Sequence, residues 1–99
     1  MNLNTTRTED IITIEIEGRV DTNTSPVLQN EILLSFQKLS KVVLDFEKTV
    51  YISSAGLRAL LIGEKTAQSK QGTMVLKHVP EVVMNVLEMS GFAKILKIE

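Results

Sequence analysis

Ninety-nine residues, 43% hydrophobic and 23% charged with a net charge of −1, describe an ordinary globular chain read as one domain over residues 1–99. Lysines and arginines are scattered rather than striped, which argues against a nucleic-acid footprint. The absence of cysteine excludes disulfides, thiolate chemistry and cysteine-based metal sites.

The N-terminal stretch MNLNTTRTED lacks the apolar core of a signal peptide. The longest apolar run, Ala59 to Ile62, is far short of the about 20 residues a bilayer crossing needs. No membrane insertion and a cytoplasmic setting are expected. A weak edge strand within Asn2 to Thr8 leads through a turn at Glu9-Asp10 to IITIEIE, whose Ile12, Ile14 and Ile16 alternate with Thr13, Glu15 and Glu17. Ser25-Pro26 predicts a helix start, the serine as cap and the proline at the first helical position. Leu28, Ile32, Phe36 and Leu39 then recur at helical spacing.

KVVLDFE alternates again, Val42, Leu44 and Phe46 against Val43, Asp45 and Glu47, which predicts burial on one face. A second helix is predicted from about Leu57 to Ser69, burying Leu57, Leu60, Leu61 and Ala67 and stopping before Gly72. TMVLKHV is a poorly phased strand that includes His78. A third helix from Pro80 carries Val83, Val86, Leu87 and Met89 inward and stops at Gly91 in a left-handed conformation. KILKI closes the chain as a strand. Right-handed crossovers between half-polar strands predict an α/β fold, a mixed sheet of four to five strands with its helices mainly on one face.

The chemistry concentrates in VYISSAGLRALL, residues 50–61, where a strand-like run meets two serines and a glycine before a helix. A nucleophile elbow, G-x-S-x-G, has only its second half in Ser54-Ala55-Gly56, with Ile52 in the first glycine's place. The sole histidine, His78, is better read as structural than as a serine's base. A lysine base is formally open, but nothing marks one. No phosphate-loop pattern exists, so neither catalytic residues nor a cofactor or metal site is assigned. One serine suffices as an N-cap, worth about 1 kcal/mol over alanine. Two serines followed by small Ala55 and Gly56 also make a low surface that another protein can reach.

Ser53-Ser54-Ala55-Gly56-Leu57 resembles the strand-to-helix signature of the STAS domain, the family of bacterial anti-sigma factor antagonists. Gly18-Arg19-Val20-Asp21 resembles that family's G-x-[hydrophobic]-D loop, Val43-Leu44-Asp45-Phe46 its central strand, and Met89-Ser90-Gly91-Phe92 the stop of its third helix. The resemblance implies a STAS-like sheet and a phosphate acceptor two positions before the signature glycine, at Ser54, with Asp21 nearby. It also implies an anti-sigma factor serine kinase (a GHKL-type ATPase) that binds the unphosphorylated form, and a serine phosphatase that resets it.

Ser53 stands where many members have aspartate, which leaves less negative charge beside the acceptor. Many relatives carry a further helix after the last strand; these 99 residues do not include it, so part of the usual sheet cover is expected to be missing. Asp21 is read either as a turn residue or as partner-facing. Thr22 and Asn23 flank the same surface, and Arg58 is either solvated or a partner contact. The expected partner-binding set is Asp21, Thr22, Asn23, Ser53, Ser54, Ala55, Gly56 and Arg58, on a monomer or weak dimer. The alternative is a passive adaptor of the same fold, in which Ser54 is only a cap.

Overall fold

The structure, a computed structural model, describes residues 1–99. Strand β1 (Asn2–Arg7) pairs antiparallel with the long strand β2 (Ile12–Val20). After helix α1 (Ser25–Lys38) come β3 (Lys41–Asp45) and β4 (Thr49–Ile52), then α2 (Ser54–Ser69), β5 (Thr73–Lys77), α3 (Glu81–Ser90) and β6 (Lys97–Ile98). The sheet runs β1-β2-β3-β5-β6, with β4 pairing parallel to the end of β2. It is a mixed α/β sheet, and every pairing except β1 with β2 is parallel.

The strand count is six because the KVVLDFE run ends at Asp45 and a new strand starts four residues later. Asp45 Oδ1 accepts the Glu47 N–H at 3.0 Å, which turns the chain there. The Thr49 hydroxyl then donates to the Ile16 carbonyl at 2.8 Å and draws β4 against β2. The two short strands thus pair in succession with one long one.

Ile12, Ile14, Ile16, Val42, Leu44, Phe46, Met74 and Leu76 form one core with Leu28, Ile32 and Phe36 of α1, Leu57, Leu60 and Ala67 of α2, and Val83 and Leu87 of α3. All three helices therefore bury against the same set of strand residues. On the other parity of the sheet, Asn2 and Asn4 donate to Glu17 and Glu15 at 3.2 and 2.8 Å. Val43 is buried as well, at 5% exposure, against the expectation of one buried face. Its strand is flanked on both sides, and in register it lies between Thr13 and Val75.

Several element ends differ from the sequence pattern, each for a local reason. The α1 turn is organised by Asp21 rather than capped by Ser25. Ser25 is the first helical residue, and its buried hydroxyl turns back to donate to the Asp21 carbonyl. In α2 the buried stripe is Leu57, Leu60, Glu64 and Ala67; Leu61, about 100° further round than Leu60, is only half-buried. In α3, Val83 and Leu87 point inward and Val86 is half-buried, whereas Met89 is 88% exposed, about 200° round from Leu87.

His78 lies past the end of β5 with φ of 55°, exposed, its Nδ1 3.1 Å from Asp45 Oδ1. The left-handed residue after α2 is Gln71, at φ 57°. Gly72 is required for space, since a Cβ there would come within 2.1 Å of the Ser40 carbonyl oxygen. Gly91 does take the expected left-handed conformation, at φ 83°. Only Lys97–Ile98 of KILKI is strand, because a 3-10 turn occupies Phe92–Lys94.

Candidate functional site

The parallel pairing of β2 with β4 ends at Val20 and Ile52, and the Ser53 N–H donates to the Val20 carbonyl at 2.8 Å. The next residue on one strand is Asp21, and on the other Ser53. The loop into α1 and the start of α2 therefore leave the sheet side by side, at the carboxyl ends of parallel strands, where open α/β sheets collect their functional residues.

Ser53, in an extended conformation, is the N-cap of α2; its Oγ accepts the Gly56 N–H at 3.3 Å and its carbonyl accepts the Leu57 N–H. Ser54 is the first helical residue, exposed, and its hydroxyl makes no hydrogen bond within the chain. Cap and free hydroxyl are separate residues. Gly56 is buried, and a Cβ on it would meet Ile52 Cγ1 at 2.6 Å and Val20 Cγ1 at 2.9 Å. The glycine thus lets the first turn of α2 lie directly on the two strand ends, from one of which the Asp21 loop departs.

Asp21 is half-buried and organises that loop. Its Oδ1 accepts the N–H groups of Asn23 and Thr24, each at 3.0 Å, while its own N–H donates to Thr24 Oγ1 at 2.8 Å. The Thr24 backbone bond above all, with Thr24's hydroxyl, the Asn23 N–H and the Arg19 charge, holds the Asp21 carboxyl below the usual aspartate range against a smaller desolvation effect. Arg19 itself stacks on Tyr51, 4.2 Å from the ring centroid, one residue before the paired strand ends. Asp21 thus has the turn role, and its backbone follows directly on the Val20 carbonyl to which Ser53 is bonded. Thr22 and Asn23 are exposed on the loop.

A shallow groove of about 510 Å³ runs between the N-terminal halves of α1 and α2, lined by Thr22, Ser25, Pro26, Gln29, Asn30 and Leu33 on one side and Ala55, Arg58 and Ile62 on the other. Thr22, Ala55 and Arg58 of the expected set meet in it. Pro26, Leu33 and Ile62 were not legible as site residues: Leu33 and Ile62 lie beside the core stripes of their helices, and only helix-on-helix packing shows that they face each other. Gly56 is beneath the surface and acts on the site through packing. Arg58 is exposed and has no acidic partner.

This arrangement, with a six-stranded mixed sheet and an exposed serine at a strand-to-helix turn, is that of a STAS domain. The chain belongs to the STAS domain family, whose model matches residues 2–99. Among individual proteins it is similar to BtrV of Bordetella bronchiseptica, provisionally named an anti-sigma factor antagonist, with 32% identity over 99% of this chain and 85% of that protein. A crystal structure of a Thermotoga maritima protein with the same provisional name superposes with a TM-score of 0.89 at 17% identity, over 97% of this chain and 84% of the other. The anti-sigma factor antagonist SpoIIAA superposes in its unphosphorylated form with a TM-score of 0.83 at 18% identity, over 99% and 88% of the two chains. A phosphorylated form of SpoIIAA from Bacillus has the same fold, with a TM-score of 0.77 at 17% identity over 99% and 91%. No helix is long and apolar enough to cross a membrane.

Proposed function

We propose that this chain is a phosphorylation-controlled anti-sigma factor antagonist, a binding module of the cytoplasm rather than an enzyme. The unphosphorylated chain docks its Asp21 loop and the first turn of α2 on an anti-sigma factor that is also a GHKL-type serine kinase, and so frees the sigma factor or other target. The kinase passes the γ-phosphoryl group of ATP to Ser54 Oγ; the hydroxyl proton leaves to a base of the kinase and ADP departs. A serine phosphatase restores the hydroxyl by hydrolysis.

The observation that carries this reading is the division of labour at the turn. Ser53 caps the helix, so the Ser54 hydroxyl is exposed and uncommitted. A phosphate there adds about −1.5 to −2 charge. At the first residue of a helix that charge is favoured by the macrodipole, so the fold tolerates it. In a docked interface the same charge has to be desolvated next to the Asp21 carboxylate, which the turn keeps ionised. Neutral Ser53, in the place of the usual aspartate, leaves Asp21 as the acid nearest in register.

The test is incubation with a candidate kinase and ATP, followed by intact mass and phosphopeptide mapping. One phosphate on Ser54 is expected, with loss of kinase binding and with Ser54→Ala binding but not modified. An unmodified chain that stays tightly bound would establish the passive adaptor instead, and phosphate on Ser53 alone would overturn the site.

A further inference from the structure

Arg58 lies four residues after Ser54 in α2, one helical turn on, and both side chains are exposed. Residues at this spacing are neighbours on a helix surface, and an acid placed N-terminal to a base is the favourable order. Arg58 is in no ion pair, and Asp21 Oδ1 is engaged by the amides of its own turn. Arg58 is also the only charged side chain lining the groove between α1 and α2. The unphosphorylated groove therefore offers one cation among neutral side chains, the polar Thr22, Ser25, Gln29 and Asn30 as well as the apolar Leu33, Ala55 and Ile62.

We propose that phosphoserine at position 54 is captured by Arg58 of the same helix, and that this pair withdraws the groove's only cation from the docking surface. The inference rests on Ser54 being the acceptor. It adds a second arm to the switch. Phosphorylation places an anion in the interface and also removes a positive charge that an acidic side chain of the partner can use. A guanidinium meets a phosphate through paired charge-assisted hydrogen bonds, which a lysine ammonium provides only as a point charge.

The test needs no kinase. Phosphoserine is placed at position 54 by genetic encoding in the full chain, alone and with Arg58→Gln or Arg58→Lys, and the phosphate is titrated by phosphorus NMR at low salt. Its second ionisation is expected at a pH about 0.15 to 0.4 lower with Arg58 than with Arg58→Gln, with Arg58→Lys between them. The difference should shrink in about 1 M salt. In parallel, the rate at which an arginine-specific dicarbonyl modifies Arg58 is compared with that of Arg7 and Arg19 in the same chain. Phosphoserine at position 54 should slow Arg58 several-fold relative to both.

Equal titration midpoints in the parent and Arg58→Gln proteins, or equal modification of Arg58 with and without the phosphate, overturn the capture. Failure of a kinase to modify Ser54 counts against the proposed function alone, since the encoded phosphate bypasses it.

Discussion

The amide of Ser53 donates to the carbonyl of Val20 at 2.8 Å, and this one bond ties the serine turn to the residue before Asp21. It extends the β2–β4 ladder by one step past Ile52. It also fixes which serine faces inward. With its N–H committed to Val20 and its Oγ to Gly56, Ser53 is held in the frame of the turn, and Ser54 is left at the corner.

The two serines should therefore respond differently to truncation. Ser53→Ala is expected to cost about 0.5–1 kcal/mol through loss of the cap, read as a lower urea midpoint, while Ser54 remains a kinase substrate. Ser54→Ala should leave the midpoint nearly unchanged and abolish modification. Ser54→Asp should also keep the stability, because an acid in the first turn suits the helix dipole, yet bind the kinase much more weakly. Equal urea midpoints for Ser53→Ala and the parent protein would remove the cap from the account.

Gly56 is a packing requirement, so a single methyl should be felt at a distance. A Cβ 2.6 Å from Ile52 Cγ1 and 2.9 Å from Val20 Cγ1 forces α2 or both strand ends to move. Gly56→Ala should destabilise by about 1–3 kcal/mol. Amide chemical shifts should move both at Ser53–Ser54 and across the gap at Asp21–Thr24. Shift changes confined to α2 would mean that the helix start does not rest on β2.

The Asp21 turn carries a pH signature with a definite sign. Its carboxyl is depressed by the Thr24 amide first, then by the Thr24 hydroxyl, the Asn23 amide and Arg19. A folded value below the unfolded one contributes stability that is fully present above the unfolded value. That contribution is lost as pH falls through the depressed folded value. The stability difference between the parent protein and Asp21→Asn should be largest near neutral pH and shrink progressively in acid. Carboxyl carbon NMR should show Asp21 titrating below the usual aspartate range.

Glu64 is the least expected member of the core. It is 1% exposed, its Oε2 accepts from Gln68 Nε2 at 3.0 Å and lies 3.5 Å from Lys97 Nζ, and its Oε1 has no partner. Removing Lys97 with Lys97→Met leaves the carboxylate less compensated and should cost about 1 kcal/mol. Glu64→Met removes the unpaired oxygen and fills the same stripe, so it should match or exceed the parent's melting temperature. A large loss in Glu64→Met would show that the ion pair holds β6 in place.

Much of the fold was legible because it rests on local regularities. Alternating Ile12, Ile14 and Ile16 announce a half-buried strand, and Leu28, Ile32 and Phe36 a helix face, since side-chain direction follows backbone period alone. The serine turn was legible for the same reason, as a cap-forming residue type where one period gives way to the other. The likeness at residues 53–57 and 18–21 added which serine to watch, which no periodicity contains.

Tertiary structure decided what depends on two segments meeting. β4 became a separate strand only because Asp45 turns the chain and Thr49 reaches the Ile16 carbonyl. Val43 is buried because its strand has a neighbour on each side, and Glu64 because α2 must turn residues 57, 60, 64 and 67 toward the core whatever their chemistry. Asp21 and Ser53 are more than thirty residues apart in the chain, and Leu33 and Ile62 nearly as far. Parallel pairing of β2 with β4 joins the first two, and the contact of α1 with α2 sets the second two across one groove. A hydrogen bond or a packed contact between distant residues has no period, so only the folded chain displays it.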